Sequence, residues 1–378
     1  MHKKLFAAFV VAMCALSIVP TTLSADSAKD FDINCPGLYG NKNVQDCEIS
    51  LFATEKIPSG TDALFSCISA RGIAITDRIE SIGEKTVLAV SESCADLEKN
   101  IKDISNAYKN GAVIISLDGS HLFKKWDSEF GSTSVSDTSD MCGIYRDNIA
   151  HTTFCYSVKT MNLSCSMQRI YNWAATMTAD TGSKSQHGYH NVVVSEMDLE
   201  CGNHGWFSFS TLYCLDEFNV NGYDYWIVKY HEESHPKSYW QTGWMSVENE
   251  FGSCPFLDGF LLSHGPNSCR SSQPPISVGL SVPNPSISIS WNYSGQNVEI
   301  INKSIKATGR FYVKHVLPKN SNESKYTYFC KPGAIVKIDH GDSDTAYYST
   351  DVYKVNYWFS ILNKTYSVSV SPILYPDR

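Results

Sequence analysis

Hydrophobic and polar residues follow different periods in successive parts of the chain. Residues 63–75 alternate loosely, as a half-buried strand does, and residues 112–117 (AVIISL) form the continuous apolar run of a strand buried on both faces. Between these runs, apolar side chains recur near the 3.6-residue helical period at Leu97, Ile101, Ile104 and Ala107. A strand, a helix and a strand in this order are typical of a parallel crossover, so residues 26–127 are predicted to form an α/β region with four cysteines.

Residues 141–270 are predicted to form a cysteine-rich, aromatic-rich and mainly β domain. The pattern predicts one helix near residues 166–177. Alternation then predicts strands at residues 191–199, 206–215 and 223–230. Asn221 and Gly222 separate the last two strands. This dipeptide is typical of a type I′ turn, so the two strands are expected to form a hairpin.

Two polar segments divide these parts of the chain. Residues 128–140 are dominated by Gly, Ser, Thr and Asp and are predicted to be a linker or a long exposed loop. Residues 271–285 contain four prolines and are predicted to be a Pro/Ser linker. Residues 286–378 alternate in short runs such as GRFYVKHV and TYSVSVS, which predicts a β-sandwich-like glycosylated domain. The expected fold class is α+β multidomain, with an N-terminal α/β region, a cysteine-rich, strand-rich middle region and a C-terminal antiparallel β-sandwich.

The first 25 residues have the order of a secretory signal peptide. Lys3 and Lys4 precede an apolar run at residues 5–19, and small residues follow up to Ala25. An apolar run of 15 residues is short for a membrane-spanning helix, and no later run in the sequence reaches 18. The chain is therefore predicted to be secreted and extracellular, with no transmembrane anchor.

Cysteine content supports an oxidising compartment. Twelve cysteines follow residue 25, and an even number in an exported chain predicts disulfide bonds. The sequence has no C-x-x-C pair of the kind that holds structural zinc. The predicted disulfide cysteines are Cys35, Cys47, Cys67, Cys94, Cys142, Cys155, Cys165, Cys201, Cys214, Cys254, Cys269 and Cys330. Because the C-terminal part holds one cysteine, Cys330 is expected to bridge to the middle part, with an intermolecular disulfide as the alternative.

Charge and glycosylation signals restrict the class of partner. The formal net charge is -8 and the sequence has no Lys/Arg run, so nucleic acid is not an expected partner. Acceptor sequences for N-glycosylation lie at Asn162, Asn292, Asn302, Asn322 and Asn363. Four of the five fall in the last 90 residues, which predicts exposed loops in that part of the chain.

The sharpest catalytic candidate is the sequence H-E-x-x-H at residues 231–235. On a helix, His231 and His235 would share one face and could bind zinc, while Glu232 could act as the base for a metal-bound water. These five residues resemble the motif of zinc-dependent metalloproteases, which implies a secreted zinc-dependent hydrolase as the alternative function. Pro236 follows at once and disfavours a helix there, so a polar loop after the hairpin is the preferred interpretation. No cofactor is expected otherwise.

Aromatic density gives the favoured hypothesis of function. Seven rings lie within 22 residues, at Tyr223, Tyr225, Trp226, Tyr230, Tyr239, Trp240 and Trp244. Tyr and Trp side chains combine rigid apolar area with a polar group, which suits protein hot spots and stacking on sugars, although rings of this kind also fill cores. The predicted function is a secreted, disulfide-crosslinked glycoprotein that binds an extracellular protein or glycan through these rings. A structural coat or matrix component is a further alternative.

Overall fold

The computed structural model describes thirteen parts of the chain. These are residues 49–52, 73–76, 79, 86–92, 94, 96–149, 151–179, 191–266, 268, 277–281, 288–292, 298–342 and 345–375. Within them the protein is mostly β-sheet, arranged as one twelve-stranded sheet, one seven-stranded sheet and a separate two-stranded hairpin.

The strands and helices are numbered in chain order. The strands are β1 (Ile49–Phe52), β2 (Ile73–Thr76), β3 (Val87–Val90), β4 (Val113–Ser116), β5 (Thr133–Ser136), β6 (Met141–Asp147), β7 (Thr152–Lys159), β8 (Asn191–Glu200), β9 (Gly205–Val220), β10 (Tyr223–Pro236), β11 (Gln241–Glu250), β12 (Gly259–Gly265), β13 (Ser277–Ser281), β14 (Ser288–Asn292), β15 (Glu299–Asn302), β16 (Arg310–Val316), β17 (Tyr328–Cys330), β18 (Gly333–Asp339), β19 (Tyr347–Tyr348), β20 (Asp351–Phe359) and β21 (Leu362–Leu374). The helices are α1 (Leu97–Lys109), α2 (His121–Lys125), α3 (Asp127–Phe130), α4 (Leu163–Thr178) and α5 (Asn322–Lys325). Among the described residues, none of the helices combines the length and the apolar character required to cross a membrane.

The two large sheets take their strands from distant parts of the sequence. The larger sheet has the order β12–β18–β10–β9–β8–β7–β6–β4–β3–β1–β2, and β17 also pairs with β10. The smaller sheet has the order β15–β16–β11–β20–β21–β19, and β5 also pairs with β21. The separate hairpin consists of β13 and β14.

The longest hairpin, β9–β10, forms where the sequence predicts it. Asn221 and Gly222 both adopt positive φ, 55° and 81°, as a type I′ turn requires. Alternation along β10 places Trp226, Val228 and Tyr230 in the core. The turn chemistry and the period-two pattern therefore explain this element locally.

The faces of the two sheets pack on each other through aromatic side chains and one buried carboxylate. Phe209 of β9 stacks on Tyr353 of β20 with ring centroids 3.8 Å apart. Asp351 of β20 is fully buried between the sheets and accepts hydrogen bonds from Tyr230 Oη at 3.0 Å, Asn249 Nδ2 at 2.6 Å and the Tyr213 hydroxyl. Because these donors come from β9, β10 and β11, the carboxylate joins both sheets in one network.

Helices cover both faces of the larger sheet near β4. β3 and β4 pair in parallel and α1 connects them. Ile114 of β4 packs in the cluster that contains Tyr108 of α1, whereas Val113 packs in the cluster that contains Trp173 of α4. Along a strand, neighbouring side chains point to opposite faces, so α1 and α4 lie on opposite sides of the sheet.

The predicted fold class is wrong. The predicted N-terminal α/β region is not a separate unit, because β3 and β4 continue the same sheet as β6 to β10. The predicted C-terminal β-sandwich does not form on its own either, because β17 and β18 pair with β10, while β20 pairs with β11 and carries β21 on its other side. A strand pattern indicates which face of a strand is buried but not which strand becomes its neighbour, and this is why the predicted fold class is wrong.

The two predicted linkers contain secondary structure. Within residues 128–140, β5 is buried and pairs with β21. Its Ser and Thr side chains are small, and its backbone finds partners there: Ser134 N donates to Cys155 Sγ at 3.3 Å, and Ser195 Oγ donates to Ser134 O at 2.9 Å. Within residues 271–285, β13 pairs with β14, and the remaining positions lie outside the described residues. Polar composition indicated exposure in β5, but hydrogen bonding permits its burial.

The disulfide prediction is wrong for most of the cysteines that can be assessed. In the described part of the chain, free thiols are found at Cys94, Cys142, Cys155, Cys201, Cys214, Cys254 and Cys330. The expected bridge from Cys330 is therefore absent from this part, and its thiol donates instead to Glu232 Oε2 at 3.2 Å. Cys165 is disulfide-bonded. Outside the described residues lie Cys35, Cys47, Cys67 and Cys269. An even count cannot place two cysteines at bonding distance, which is set by the tertiary structure.

Candidate functional site

The H-E-x-x-H residues lie on strand β10, not on a helix or in a loop. Residues four apart on a strand are separated by about 13 Å, so His231 and His235 do not converge as they would on a helix. Glu232 points to the opposite face, where it is fully buried. Among the described residues, no group of three or more His, Cys, Asp or Glu side chains is placed to hold a metal ion. The geometry on which the zinc hydrolase hypothesis depends is therefore not formed by these three residues.

Burial determines the ionisation of this segment. Burial raises the pKa of the Glu232 carboxyl to about 8 and lowers the pKa of the His231 imidazole to about 4. Glu232 Oε2 accepts the thiol of Cys330, whereas its Oε1 has no hydrogen-bond partner among the described residues. Both side chains are therefore neutral core groups at pH 7.

The seven predicted binding rings separate into groups along β10 and β11. Trp226 and Tyr230 are core residues. Tyr223 and Tyr225 lie half-buried near the β9–β10 turn, and Lys337 Nζ lies 3.4 Å from the ring centroid of Tyr223. Trp244 is half-buried under Lys314 Nζ at 3.9 Å. The two remaining rings, Tyr239 and Trp240, lie in the connection between β10 and β11, at the opposite end of β10 from Tyr223.

Tyr239 and Trp240 belong to a contiguous apolar surface at this end of the protein. We call it the tip surface and define it by Met161, Leu163, Tyr239, Trp240, Phe359, Ile361 and Leu362. Ring centroids of Tyr239 and Phe359 are 6.1 Å apart, those of Trp240 and Phe359 are 6.0 Å apart, and those of Trp240 and His204 are 4.2 Å apart. Met161 and His204 both lie next to Gly202: a Cβ at Gly202 would be 3.6 Å from Met161 Sδ and 3.8 Å from His204 Nδ1. Because His204 contacts Trp240, Met161 lies on the same surface as Trp240.

The tip surface forms where the interior face of the sheets continues beyond the end of the core. Tyr353, Tyr357 and Phe359 alternate onto one face of β20, and the first two are fully buried while Phe359 is 42% exposed. A two-residue turn follows, in which Ser360 has a φ of 57° and Ile361 is 91% exposed. Leu362 pairs with Phe359 across this turn.

Polar contacts beneath the tip surface hold its loops together. Glu200 accepts from Lys237 Nζ at 3.1 Å through one oxygen and from the Met161 backbone N at 2.9 Å through the other. His204 Nδ1 lies 2.6 Å from Tyr366 Oη and 2.9 Å from Cys201 O. These hydrogen bonds join the β7–α4, β8–β9 and β10–β11 connections to one another and to β21. The apolar side chains therefore project from loops that are held in place.

The tip loops are more basic than the rest of the chain. Residues 159–163, 200–205, 236–241, 317–321 and 358–365 together carry four lysines and one glutamate, in a chain whose net charge is -8. Lys319 and Lys364 are exposed, and Lys319 Nζ lies 4.7 Å from the ring centroid of Trp358. Glu200, the one acid in these loops, is paired with Lys237.

Sequence reasoning missed five members of the tip surface. Met161, Leu163, Phe359, Ile361 and Leu362 were not predicted as binding residues, because they lie far in sequence from the aromatic segment. One signal could have found the last three: the runs VNYWFSI and TYSVSVS are separated by three residues, which predicts a hairpin with an apolar turn. Turns are usually built from Gly, Asn, Asp, Pro and Ser, so an exposed Ile-Leu pair in one is unusual.

Two of the predicted glycosylation acceptors lie in the tip loops. Asn162 and Asn363 are both exposed there, and Asn322 is exposed at the start of α5. The amide nitrogen of Asn302 donates to Pro266 O, so this acceptor is engaged within the protein. Asn292 lies on β14.

Comparisons with known proteins find distant structural similarity. No protein family matches the chain, and no curated protein matches it. Similar solved structures are a pore forming protein (6% identity, TM-score 0.33, covering 49% of this chain and 94% of that one) and Clostridium perfringens delta-toxin (9% identity, TM-score 0.32, covering 48% and 92%). A third is the Clostridium perfringens NetB toxin in the membrane inserted form (7% identity, TM-score 0.26, covering 47% and 95%). With TM-scores below 0.5, these matches assign neither a fold nor a function to the chain.

Proposed function

We propose that this chain is an extracellular binding protein that attaches to its target through the tip surface. The observation that carries the proposal is the clustering of exposed apolar side chains. Six of the twelve large apolar side chains that are exposed in the described residues belong to this one surface. Single exposed apolar residues are ordinary on proteins, whereas contiguous apolar patches mark interaction sites.

The chemistry of the surface favours binding over catalysis. The polar side chains nearest to it already have hydrogen-bond partners within the protein: Glu200 with Lys237, and His204 with Tyr366 and Cys201 O. The side chains that define the tip surface are apolar or aromatic, and they offer contact area rather than a paired acid and base or an activated nucleophile. The zinc hydrolase alternative has no comparable support, because Glu232 and the two histidines do not meet.

Export and glycosylation are further parts of the proposal. The order of residues 1–25, which resembles a signal peptide, and the disulfide at Cys165 support export to an oxidising compartment. Because seven thiols are free, extensive disulfide crosslinking is not part of the proposal. Exposure of Asn322 is compatible with an N-glycan at this position, whereas Asn162 and Asn363 lie within the tip surface itself.

The test compares a tip variant with a matched control on defined probes. Surface plasmon resonance would measure the purified chain on a phosphatidylcholine–phosphatidylglycerol layer, on sialylated and sulfated oligosaccharides, and on immobilised fibronectin. The tip variant is Tyr239→Ser with Ile361→Ser. The control is Ile149→Ser, which makes the same change at a side chain that is 54% exposed in the β6–β7 turn, at the other end of the larger sheet.

The expected result is that at least one probe binds the wild type and the control equally and binds the tip variant at least about tenfold more weakly, because two exposed apolar side chains no longer contribute contact area. Equal binding of the tip variant and the wild type would refute the role of the tip surface. Absence of wild-type binding to all three probes would count equally against the proposal.

A further inference from the structure

Building on the proposed function, we propose that the target of the tip surface is the interface of a phospholipid membrane containing anionic lipids. The most exposed side chains of the tip surface are aliphatic. Ile361 is 91% exposed, Met161 74% and Leu362 58%. Aliphatic side chains cannot hydrogen-bond to the hydroxyls of a glycan, and they gain most from contact with acyl chains.

The position of the aromatic rings fits the same target. Tyr239 and Trp240 lie beside the β20–β21 hairpin, whose turn carries Ile361 and Leu362. The ring of Trp240 packs on His204 of the β8–β9 connection and on Phe359. Tyr and Trp favour the boundary between headgroups and acyl chains, because each combines an apolar ring with a polar group. When Ile361 and Leu362 enter the acyl region, these rings lie at the level of the headgroups.

The backbone of the hairpin permits insertion. Phe359 and Leu362 are paired across the two-residue turn, and pairing continues along β20 and β21 to Asp351. A polar backbone group that leaves water needs a hydrogen-bond partner, and paired strands already provide it. The hairpin can therefore enter the interface without exposing many unsatisfied backbone groups to lipid.

Charge specifies the lipid and the orientation. The tip loops carry four lysines and one glutamate, although the whole chain has a formal charge of -8. Exposed Lys319 and Lys364 flank the hairpin, while Glu200 is neutralised by Lys237. An anionic membrane attracts nearby basic groups and repels the acidic remainder of the chain, so the tip is the end that would approach it.

The glycosylation acceptors create a consequence that can be checked. Asn363 follows Leu362 directly, and Asn162 lies between Met161 and Leu163. A glycan is bulky and hydrophilic, so one attached at either position would hold the apolar side chains away from the acyl region. Only protein without glycans at these two positions is therefore expected to bind the membrane.

Vesicle sedimentation tests the inference with protein made in bacteria, which lacks N-glycans. The vesicles are phosphatidylcholine alone and phosphatidylcholine with about one quarter phosphatidylglycerol. The proteins are the wild type, Ile361→Ser with Leu362→Ser, Lys319→Glu with Lys364→Glu, and the matched control Ile149→Ser. All changed side chains are exposed, so equal circular dichroism spectra and unfolding midpoints are expected to confirm that every variant folds.

The wild type and the Ile149→Ser control are expected to bind the phosphatidylglycerol vesicles equally. Loss of both apolar side chains should weaken partitioning at least about tenfold. Charge reversal should remove the preference for phosphatidylglycerol and the dependence on salt, because both arise from the lysines. As a second measurement, brominated acyl chains should quench wild-type fluorescence more than that of Trp240→Phe.

Two contrary outcomes are distinguishable. If the wild type ignores both kinds of vesicle yet binds an oligosaccharide or fibronectin through the tip surface, the membrane inference fails and the proposed function stands. If vesicle binding is the same for the wild type and the Ile361→Ser, Leu362→Ser variant, the tip surface is not the contact and both proposals fail.

Discussion

The Glu232→Gln variant should gain stability relative to the wild type as the pH rises: the difference between their free energies of unfolding should shift in favour of the variant. Glu232 is fully buried, its one hydrogen bond among the described residues comes from the neutral thiol of Cys330, and burial raises its pKa from 4.5 to about 8. The folded state therefore holds a proton that the unfolded state releases above pH 4.5. This contribution to stability is complete below pH 4.5, falls as the pH rises towards 8, and is constant above 8.

The magnitude follows from the two pKa values. Each pH unit between them corresponds to about 1.4 kcal/mol, so the wild type should lose about 3 kcal/mol between pH 4.5 and 7 from this group and about 5 kcal/mol by pH 8. The Glu232→Gln variant cannot ionise at this position and lacks this loss. Any fixed cost of the glutamine amide is the same at each pH and cancels when the differences are compared.

Urea unfolding followed by circular dichroism at pH 5, 7 and 8.5 gives the free energy of unfolding for both proteins. A useful control is Glu98→Gln, because the hydrogen bond and charge of Lys125 lower the pKa of Glu98 below 4.5, so its contribution to stability is lost only at more acidic pH and the difference from the wild type should stay nearly constant from pH 5 to 8.5. A difference between the wild type and Glu232→Gln that stays constant from pH 5 to 8.5 would refute the reasoning. It would mean that the carboxyl is solvated in the folded state.

Three further predictions concern packing and thiols. Asp351→Ala removes the acceptor of three buried donors and should lower the free energy of unfolding by about 3 to 5 kcal/mol, measured in urea; a loss below 1 kcal/mol would contradict it. Gly259→Ala places a Cβ in steric conflict with the backbone carbonyl of Phe251, so the thermal midpoint should fall, and an unchanged midpoint would show that the backbone relaxes freely. Cys330 should react with iodoacetamide after unfolding and not before, which peptide mapping would detect; failure to react after unfolding would reveal a disulfide.

The elements that the sequence predicts correctly depend on neighbouring residues. Asn221 and Gly222 form the expected turn because each tolerates positive φ. α4 covers the helix predicted near residues 166–177, and the side chain of Asn162 caps it by accepting from Ser164 N at 2.9 Å. Such signals act over a few residues and need no information about distant parts of the chain.

The candidate site was predicted only in part. Tyr239 and Trp240 lie on the tip surface, where their role in binding stays a prediction, whereas Trp226 and Tyr230 are core residues. Ile361, the most exposed member of the surface, lies more than 100 residues away from Tyr239 in sequence. Aromatic density therefore selects the segment that supplies two rings of the proposed surface, but it could not identify the side chains that join them.

The sequence by itself determined the strand alternation, the β9–β10 turn and helix α4, because φ preferences and side-chain periods operate locally. Only the tertiary structure decided the order of strands, the state of the cysteines and the identity of the exposed apolar surface. Glu232 pairs with Cys330, and Ser136 pairs with Val370, across separations of about 100 residues or more. An alternating pattern is compatible with many neighbours, so global packing selects among them and determines which apolar side chains remain uncovered.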